Sequence, residues 1–288
     1  MLSRPRTIPV LLKQPMPRPR LYLSFDIEEF DMPLEYGKSI SFEEQIAISK
    51  AGCHHILDLL KKHSARATFF STVVFAENAP DVIQRILGEG HELASHGFYH
   101  SDFKNEHLLQ SRLELERLSG RSIEGFRMAR MMPVETGEII QAGYRYNSSL
   151  NPVYIPGRYN NYFKKRTWFR SGTLLEIPAS ATPFVRFPLF WLSFHNLPQG
   201  LYRGLCAITM MKDQYLNIYF HPWEFTDLTL PRFGFPGFVK RKTGTKMIEA
   251  FDGWLSWCHR KGYTFEVLRE FSQQHEAHAG RLTGPLTP

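Results

Sequence analysis

Short apolar runs alternate with longer segments of helical period along most of the 288-residue chain. The apolar runs "LYLSF", "RATFFST" and "HELAS" are all short enough for strands, and the first two are rich in aromatic or β-branched residues. The segments "FEEQIAISKAGCHHILDLLKKH" and "APDVIQRILGEG" separate them and carry a helical pattern. This alternation is typical of βα units, in which helices connect parallel strands. It predicts a mostly parallel sheet.

The same alternation continues further along the chain. "NEHLLQSRLELERLSG" and "VETGEIIQAG" predict helices ending at Gly120 and Gly143, and "SIEGFR" and "YRYNSS" predict short strands. Residues 151–210 are rich in Pro, Arg and aromatic residues, and only "TLLEIPA" there indicates a strand. "YLNIYFHP" and "YTFEVL" predict two later strands, separated by the helix "KTGTKMIEAFDGWLSWCHRKG".

No repeat and no linker divides this pattern, so it predicts one distorted α/β barrel over residues 21–272. Residues 1–20 form a basic, Pro-rich tail, and residues 273–288 are expected to be a frayed tail. The chain is 43% hydrophobic, which is enough for a sizeable core. The formal charge is +7, but the N-terminal tail holds five basic residues and no acid, so the remainder is nearly neutral.

Composition argues against some classes of function and indicates a cellular location. The positive charge lies mostly in the tail and no recognised binding motif is present, so nucleic-acid binding is not expected. The three cysteines form no CxxC pair, which predicts neither a disulfide framework nor a thiolate zinc site. A reducing, cytoplasmic location fits this cysteine usage.

Two segments leave membrane contact open. The tail lacks the apolar run of a secretory signal and is either a disordered leader or a tether to anionic head groups. Residues 183–205 are apolar and aromatic, contain Arg186 and Arg203 and no acid, and are too short to span a bilayer. They either pack on the core or form a face at the inner surface of the membrane.

Four polar residues of catalytic type fall at predicted strand ends. They are Asp26, His96, Arg127 and His221. The carboxyl ends of parallel strands in such folds share one mouth, so these side chains are expected to meet there. His221 is either a general acid or a core histidine, and Arg127 is either a structural ion-pair partner or a group that keeps a catalytic Asp ionised.

The spacing of nearby residues suggests a metal site. His96 and His100 have the H-x3-H spacing that would place both rings on one side of a helical turn. Asp26 and Glu28 lie two positions apart, so in an extended segment both would face the mouth while Ile27 packs behind. One of the two carboxylates could bind a divalent cation with the imidazoles, and the other could accept protons. Unrelated histidines remain the alternative.

The neighbouring acids have a plainer interpretation. Asp31, and with it Glu29, is expected to belong to a solvated loop with a helix N-cap.

Five motifs together resemble the polysaccharide deacetylase superfamily, the NodB-homology fold. "SFDIEEF", "ATFFST", "GHELASHGFYH", "GFRMAR" and "YFHPWEF" occur in that family's order across about residues 20 to 270. The resemblance implies a distorted (β/α)7 barrel, a divalent metal that is usually zinc, and hydrolysis of an N-acyl group on a sugar.

The resemblance also implies residue roles. Asp26 matches the catalytic base, Arg127 the arginine that supports it, and His221 the catalytic acid. His96 and His100 match the metal histidines.

The chain departs from the family pattern at two positions. Ile27 replaces the usual second aspartate, and Ala129 replaces a proline. The first departure resembles a branch with an Asp-x-Asp/Glu motif, found among deacetylases of surface-polysaccharide pathways and deformylases of lipid-linked aminoarabinose. In that branch Glu28 would bind the metal.

"LLEIPAS" and "HPWE" also resemble this branch. They assign Glu176, Trp223 and Glu224 to substrate contact.

The expected function is therefore metal-dependent removal of an N-acyl group, such as acetyl, from an amino sugar in a polysaccharide or glycan precursor. Three alternatives stay open: a deformylase or deacetylase of a polyprenyl-phosphate-linked sugar, a metal-independent amide hydrolase, and a non-catalytic carbohydrate-binding protein on the same fold.

Overall fold

The structure is a computed structural model that describes residues 18–282, with side chains described as far as residue 276. Its strands are β1 Arg20–Ile27, β2 Thr68–Ser71, β3 Glu92–Ser95, β4 Gly125–Phe126, β5 Tyr146–Asn147, β6 Tyr154–Ile155, β7 Tyr159–Asn160, β8 Phe169–Ser171, β9 Leu174–Glu176, β10 Tyr215–Phe220 and β11 Thr264–Glu266.

Helices connect most of these strands. They are α1 Met32–Glu35, α2 Phe42–Lys62, α3 Val73–Asn78, α4 Pro80–Gly88, α5 Glu106–Ser119, α6 Thr136–Gln141, α7 Trp191–Asn196, α8 Gln199–Asp213, α9 Gly237–Lys240, α10 Thr245–Arg260 and α11 Leu268–Leu282. Short 3₁₀ turns lie at Ala129–Met131, Pro222–Phe225 and Pro231–Phe233.

The main sheet curls into a barrel of parallel strands. Its order is β10-β1-β2-β3-β4-β5-β9, with every neighbouring pair parallel. The gap between the first and last strands is bridged just after β9, where the Ser180 N–H donates to the Asn217 carbonyl at 2.8 Å. The distorted (β/α)7 barrel is confirmed. β8 adds antiparallel to β9, and β11 pairs with the start of β1.

Two apolar layers hold the barrel together. The larger one lies between the sheet and the helices and includes Phe25, Ile27 and Phe69, which face outward from their strands. The smaller one fills the barrel interior, where alternate residues such as Tyr22 and Phe70 point. Both layers leave the carboxyl ends of the strands to polar side chains.

The region in which the sequence pattern is uninformative contains the hairpin β6–β7, the strands β8 and β9, and the helices α7 and α8. Most of the apolar segment 183–205 packs inward, with Leu189, Phe194 and Tyr202 fully buried. Phe184 and Val185 at its start are exposed instead. Within residues 18–282 no helix is long and apolar enough to cross a membrane.

At both ends the described fold extends beyond the predicted barrel. β1 begins at Arg20, so the described barrel starts one residue earlier than the sequence predicts. α11 continues to Leu282, whereas the sequence predicts a frayed tail from residue 273. The remaining parts of the two predicted tails, residues 1–17 and 283–288, lie outside the described residues.

Candidate active site

The end of β1 carries four buried carboxylates. Asp26, Glu28, Glu29 and Asp31 are all buried, although they lie within six positions of one another. Like charges this close would repel unless each carboxylate faced a cation or hydrogen-bond donors. The interpretation of Glu29 and Asp31 as solvated is wrong, because both side chains are buried. Asp31 does occupy the N-cap position of α1, but its side chain makes no capping hydrogen bond.

Asp26 is bound by Arg127. The Arg127 Nη1 donates to Asp26 Oδ1 at 2.6 Å, and the rest of the fully buried guanidinium donates to the carbonyl and hydroxyl of Ser148. Phe70 lies 4.1 Å below the guanidinium. Burial alone would raise the pKa of Asp26, but the charge of Arg127, followed by those of His96 and His221, holds it below its usual value. Asp26 is therefore ionised near neutral pH.

Glu28, His96 and His100 converge on one point. Glu28 Oε2 lies 3.0 Å from His96 Nε2 and 3.1 Å from His100 Nε2, and a ligand atom from each of the three residues falls within 4.8 Å of the others. Glu28 Oε2 is buried but has no hydrogen bond of acceptable geometry. Positive charge placed between the three side chains would stabilise a buried carboxylate oxygen in this position.

The outer nitrogens of both rings fix their orientation. His96 Nδ1 donates to the Arg127 carbonyl at 2.9 Å, and His100 Nδ1 lies 2.7 Å from Asp31 Oδ1. Both Nε2 atoms are thereby aimed at Glu28, as in metal sites where a carbonyl or carboxylate orients the imidazole.

This donor set fits a divalent cation such as zinc. Zn–N and Zn–O distances of about 2.0–2.2 Å separate two tetrahedral ligand atoms by about 3.3 Å, close to the separations seen here.

Proton binding at this point competes with a cation. Burial would lower the pKa of His100, but the charge of Glu28 and the hydrogen bond that His100 donates to Asp31 raise it to about 9. The cation-free site is therefore expected to hold a proton on His100 near neutral pH, and a metal would have to displace it.

The two histidines do not lie on a helical turn, as their spacing suggests. His96 follows β3, the chain bends at Gly97 with φ +92°, and His100 lies in the next loop. Their rings lie nearly parallel, with centroids 6.2 Å apart. The H-x3-H spacing brings them together through this bend rather than through helix geometry.

Glu29 and Asp31 hold the loop that carries His100. Glu29 accepts from the Thr72 hydroxyl at 2.7 Å and from the His100 backbone N–H at 2.9 Å. Asp31 binds His100 Nδ1 and the Ser101 hydroxyl, and Arg130 approaches it at 3.4 Å. Both acids therefore position a candidate ligand rather than solvate a loop.

His221 stands opposite Asp26. Its Nε2 lies 4.0 Å from Asp26 Oδ2, too far for a direct hydrogen bond. On its other side Nδ1 donates to Glu224 Oε1 at 3.0 Å, so Nε2 faces the cavity. Burial would lower the pKa of His221, but the hydrogen bond to Glu224, together with the charges of Glu28, Glu224 and Asp26, raises it above its usual value.

A second histidine supports Glu224 from behind. His195 Nε2 lies 2.8 Å from Glu224 Oε2, and His195 Nδ1 lies 3.1 Å from the Val239 carbonyl. Both contacts fix the His195 ring, which in turn holds the Glu224 carboxylate in place behind His221. No sequence pattern predicts a role for His195, which lies in the region where periodicity is uninformative.

A cavity of about 320 Å³ opens above these groups. Asp26, Glu28, His96, His100 and His221 line its floor. Its walls are largely aromatic, and the residues that form them are Phe30, Tyr36, Tyr159, Phe190, Trp191, Tyr219, Trp223 and Phe238. Such a mainly apolar pocket with a few converging polar groups is the usual form of a small-molecule site.

The three residues assigned to substrate contact differ in position. Trp223 lines the cavity but is almost fully buried, with its ring stacked 4.7 Å from that of His221. Glu224 lies behind His221 and not on the cavity wall, so its assignment needs correction.

Glu176 also needs correction. It follows Leu175, which faces the barrel interior, so Glu176 points to the outer side of the sheet, where Asn147 donates to it at 3.0 Å. Burial raises the pKa of its carboxyl to about 7. This acid does not line the cavity.

The polysaccharide deacetylase family model matches residues 13–126, which include the four buried carboxylates at the end of β1 and the two candidate metal-site histidines. The peptidoglycan-N-acetylmuramic acid deacetylase PdaA of Bacillus subtilis is 38% identical over 64 residues, 22% of this chain and 24% of that protein. The matched stretch thus spans about a quarter of the length of this curated relative.

Solved structures share the fold. A putative polysaccharide deacetylase from Mycobacterium smegmatis superposes with a TM-score of 0.62 at 16% identity, covering 95% of this chain and 96% of that one. PuuE allantoinase also gives a TM-score of 0.62, at 17% identity, covering 99% and 100%.

Proposed function

We propose that this chain, whose residues 13–126 match the polysaccharide deacetylase family model, removes an N-acyl group, such as acetyl, from an amino sugar with the help of a divalent metal. The observation that carries the proposal is the convergence of Glu28, His96 and His100 beside Asp26 and His221 in one cavity. The proposed substrate is a polysaccharide or a glycan precursor.

Glu28, His96 and His100 would hold the cation. Their two nitrogens and one oxygen suit zinc, and the Asp-x-Glu motif supplies the carboxylate at the position that the resembling branch uses. A divalent cation bound there supplies a Lewis acid beside the scissile carbonyl and promotes the ionisation of water.

Asp26 acts as the general base. Arg127 occupies Oδ1 and leaves Oδ2 facing the cavity, so the free oxygen can accept the proton of the attacking water. The charge of Arg127 keeps the carboxylate ionised, and the contacts with Ser148 fix the guanidinium in place.

His221 acts as the general acid. Its raised pKa favours the protonated ring, and Nε2 is the nitrogen that faces the cavity. Donation of this proton to the departing amine completes cleavage of the C–N bond. Glu224 orients the ring, and Trp191 and Trp223 pack against it.

The aromatic walls suit the apolar faces of a sugar ring. The cavity volume suits one or two sugar rings rather than a longer stretch of a polymer. A lipid-linked sugar phosphate is the second candidate substrate. Arg158 at the cavity wall favours it, because its guanidinium would attract the phosphate.

The test is acyl release from N-acetylated chitooligosaccharides and peptidoglycan fragments by the full chain, measured before and after chelation and after zinc is restored. Loss on chelation and recovery with zinc are expected. Release that is insensitive to chelation would favour a metal-independent hydrolase. No release of acetate or formate from any N-acyl sugar, by protein that retains zinc, would favour the non-catalytic alternative.

A further inference from the structure

Three large apolar side chains project into solvent beside the candidate active site. Phe163 is 95% exposed, Phe184 88% and Val185 72%. We call these three residues the apolar knob. Phe163 and Val185 also line a shallow surface groove together with Tyr154, Tyr162 and Arg186. Contiguous exposed apolar side chains of this size usually mark a contact surface.

The two loops that carry the knob are tied together. The Tyr162 hydroxyl donates to the Phe184 carbonyl at 3.1 Å, and Arg186 Nη1 donates to the Lys164 carbonyl at 2.6 Å. Phe184 and Arg186 both adopt positive φ, +66° and +52°, a region that bulky residues avoid. The backbone thus holds Phe184 and Val185 outward in a strained turn that local hydrogen bonds maintain.

The segment that carries the knob is mostly basic. Residues 151–190 contain six basic side chains and a single acid, Glu176, and one of the six, Arg166, is paired with Asp213. Glu176 is buried on the outer face of the barrel sheet. Lys164 and Lys165 directly follow Phe163 and are exposed. An apolar tip with adjacent lysines complements an anionic bilayer, which has an apolar interior and negatively charged head groups.

The hairpin β6–β7 connects the knob with the cavity. Ile155 and Tyr159 pair across the hairpin and line the catalytic cavity. Tyr154 and Asn160 form the adjacent pair and line the groove beside the knob. Neighbouring pairs of one short hairpin therefore border both features, so a surface that engages the knob would lie close to the cavity.

We infer that the apolar knob inserts into the interface of an anionic membrane and so holds the cavity at the bilayer surface. The side chains of Phe163, Phe184 and Val185 enter the head-group boundary, and Lys164 and Lys165 contact lipid phosphates. If the proposed function holds, membrane insertion also identifies the substrate as a membrane-anchored sugar phosphate. The anionic group of that substrate would approach Arg158.

The test is flotation of the full chain with vesicles containing 30% phosphatidylglycerol in phosphatidylcholine, at low and high salt. The triple variant Phe163→Ser, Phe184→Ser, Val185→Ser should bind at least 10-fold more weakly than the wild type. Lys164→Glu with Lys165→Glu should abolish the preference for anionic vesicles over pure phosphatidylcholine. Leu109→Ser with Leu113→Ser removes exposed apolar side chains from α5, which carries several glutamates, and should bind as the wild type does.

Binding is measured without substrate, so its outcome is independent of the catalytic proposal. Hydrolysis of soluble N-acetylated oligosaccharides is the control for correct folding. If the catalytic proposal holds, the triple variant should hydrolyse them at the rate of the wild type. Equal vesicle binding by wild type and triple variant would overturn the inference, because another part of the chain would then carry it. Self-association through the knob in sedimentation, without vesicle binding, would overturn it in favour of a protein contact.

Discussion

The two ends of the barrel interior each bury a glutamate, and the two differ in what faces them. At the closed end, Glu92 accepts from the hydroxyls of Thr68 and Tyr146, at 2.7 and 2.8 Å, and from the Arg269 backbone N–H at 2.9 Å. At the open end, Glu28 Oε2 has two imidazole nitrogens near it and no satisfactory hydrogen bond.

Their electrostatics differ accordingly. Burial raises the pKa of Glu92, and the donors around it only partly offset that effect. Burial acts on Glu28 as well, but the charge of His100 and the close approach and charge of His96 outweigh it and lower the pKa of Glu28. A buried acid is thus marked as a candidate ligand by an unsatisfied oxygen among imidazoles, and not by burial itself.

The largest expected effect concerns the catalytic pair at the open end. Asp26→Asn removes the base and His221→Ala removes the acid, so each should lower kcat by ~10²-fold or more while metal content stays near that of the wild type. Steady-state kinetics and metal analysis of the same preparations measure this. Asp58→Asn on the surface of α2 is the control and should keep full activity. Undiminished turnover in either variant would remove that residue from the mechanism.

The next effect concerns the support of His100. Asp31→Asn weakens the carboxylate that orients Nδ1, so zinc affinity should fall about 10- to 100-fold without being abolished. Competition titration with a chromogenic chelator measures the affinity. Glu35→Gln is a matched control, because Glu35 lines the same cavity but pairs with Arg130. An unchanged affinity in Asp31→Asn would mean that the contact with His100 has no role in metal binding.

A smaller effect concerns pH. Glu224 helps to hold the pKa of His221 above its usual value, and a general acid must be protonated to act, so kcat/KM should fall as the pH rises through that pKa. Glu224→Gln removes the charge and should move this alkaline limb to lower pH by about one unit. The pH profile of kcat/KM measures it. An alkaline limb at the same pH in both proteins would assign that limb to another group.

The smallest expected effect lies at the closed end. Glu92→Gln places an amide where three donors converge, so the free energy of unfolding should fall by about 1–3 kcal/mol. The values of kcat and KM should stay within about twofold of those of the wild type, because Glu92 does not line the cavity. Urea denaturation and kinetics measure the two quantities. A large loss of activity without loss of stability would erase the distinction between the two ends.

Much of the difference between the two ends of the barrel could be predicted from the sequence. The period of the βα units predicts the parallel barrel, and the rule that strand ends share one mouth predicts that Asp26, His96, Arg127 and His221 meet there. The same rule separates the two glutamates, since Glu92 begins β3 whereas Glu28 follows the end of β1.

Contacts between distant segments could not be derived in this way. Asp31 and His100 are 69 positions apart, and His195 and Glu224 are 29 apart, so no local pattern relates them. Glu176 shows the converse error, because a motif resemblance carries no information on which face of a strand a side chain takes.

Metal content of the purified full chain tests the central claim most directly. Wild type, Glu28→Gln and Asp26→Asn, purified without chelator and loaded with zinc, are compared by elemental mass spectrometry after desalting. We predict one zinc per chain in the wild type and in Asp26→Asn, and a large loss in Glu28→Gln. Full zinc retention in Glu28→Gln, with loss in Asp26→Asn, would assign the metal carboxylate to Asp26 and contradict the site described here.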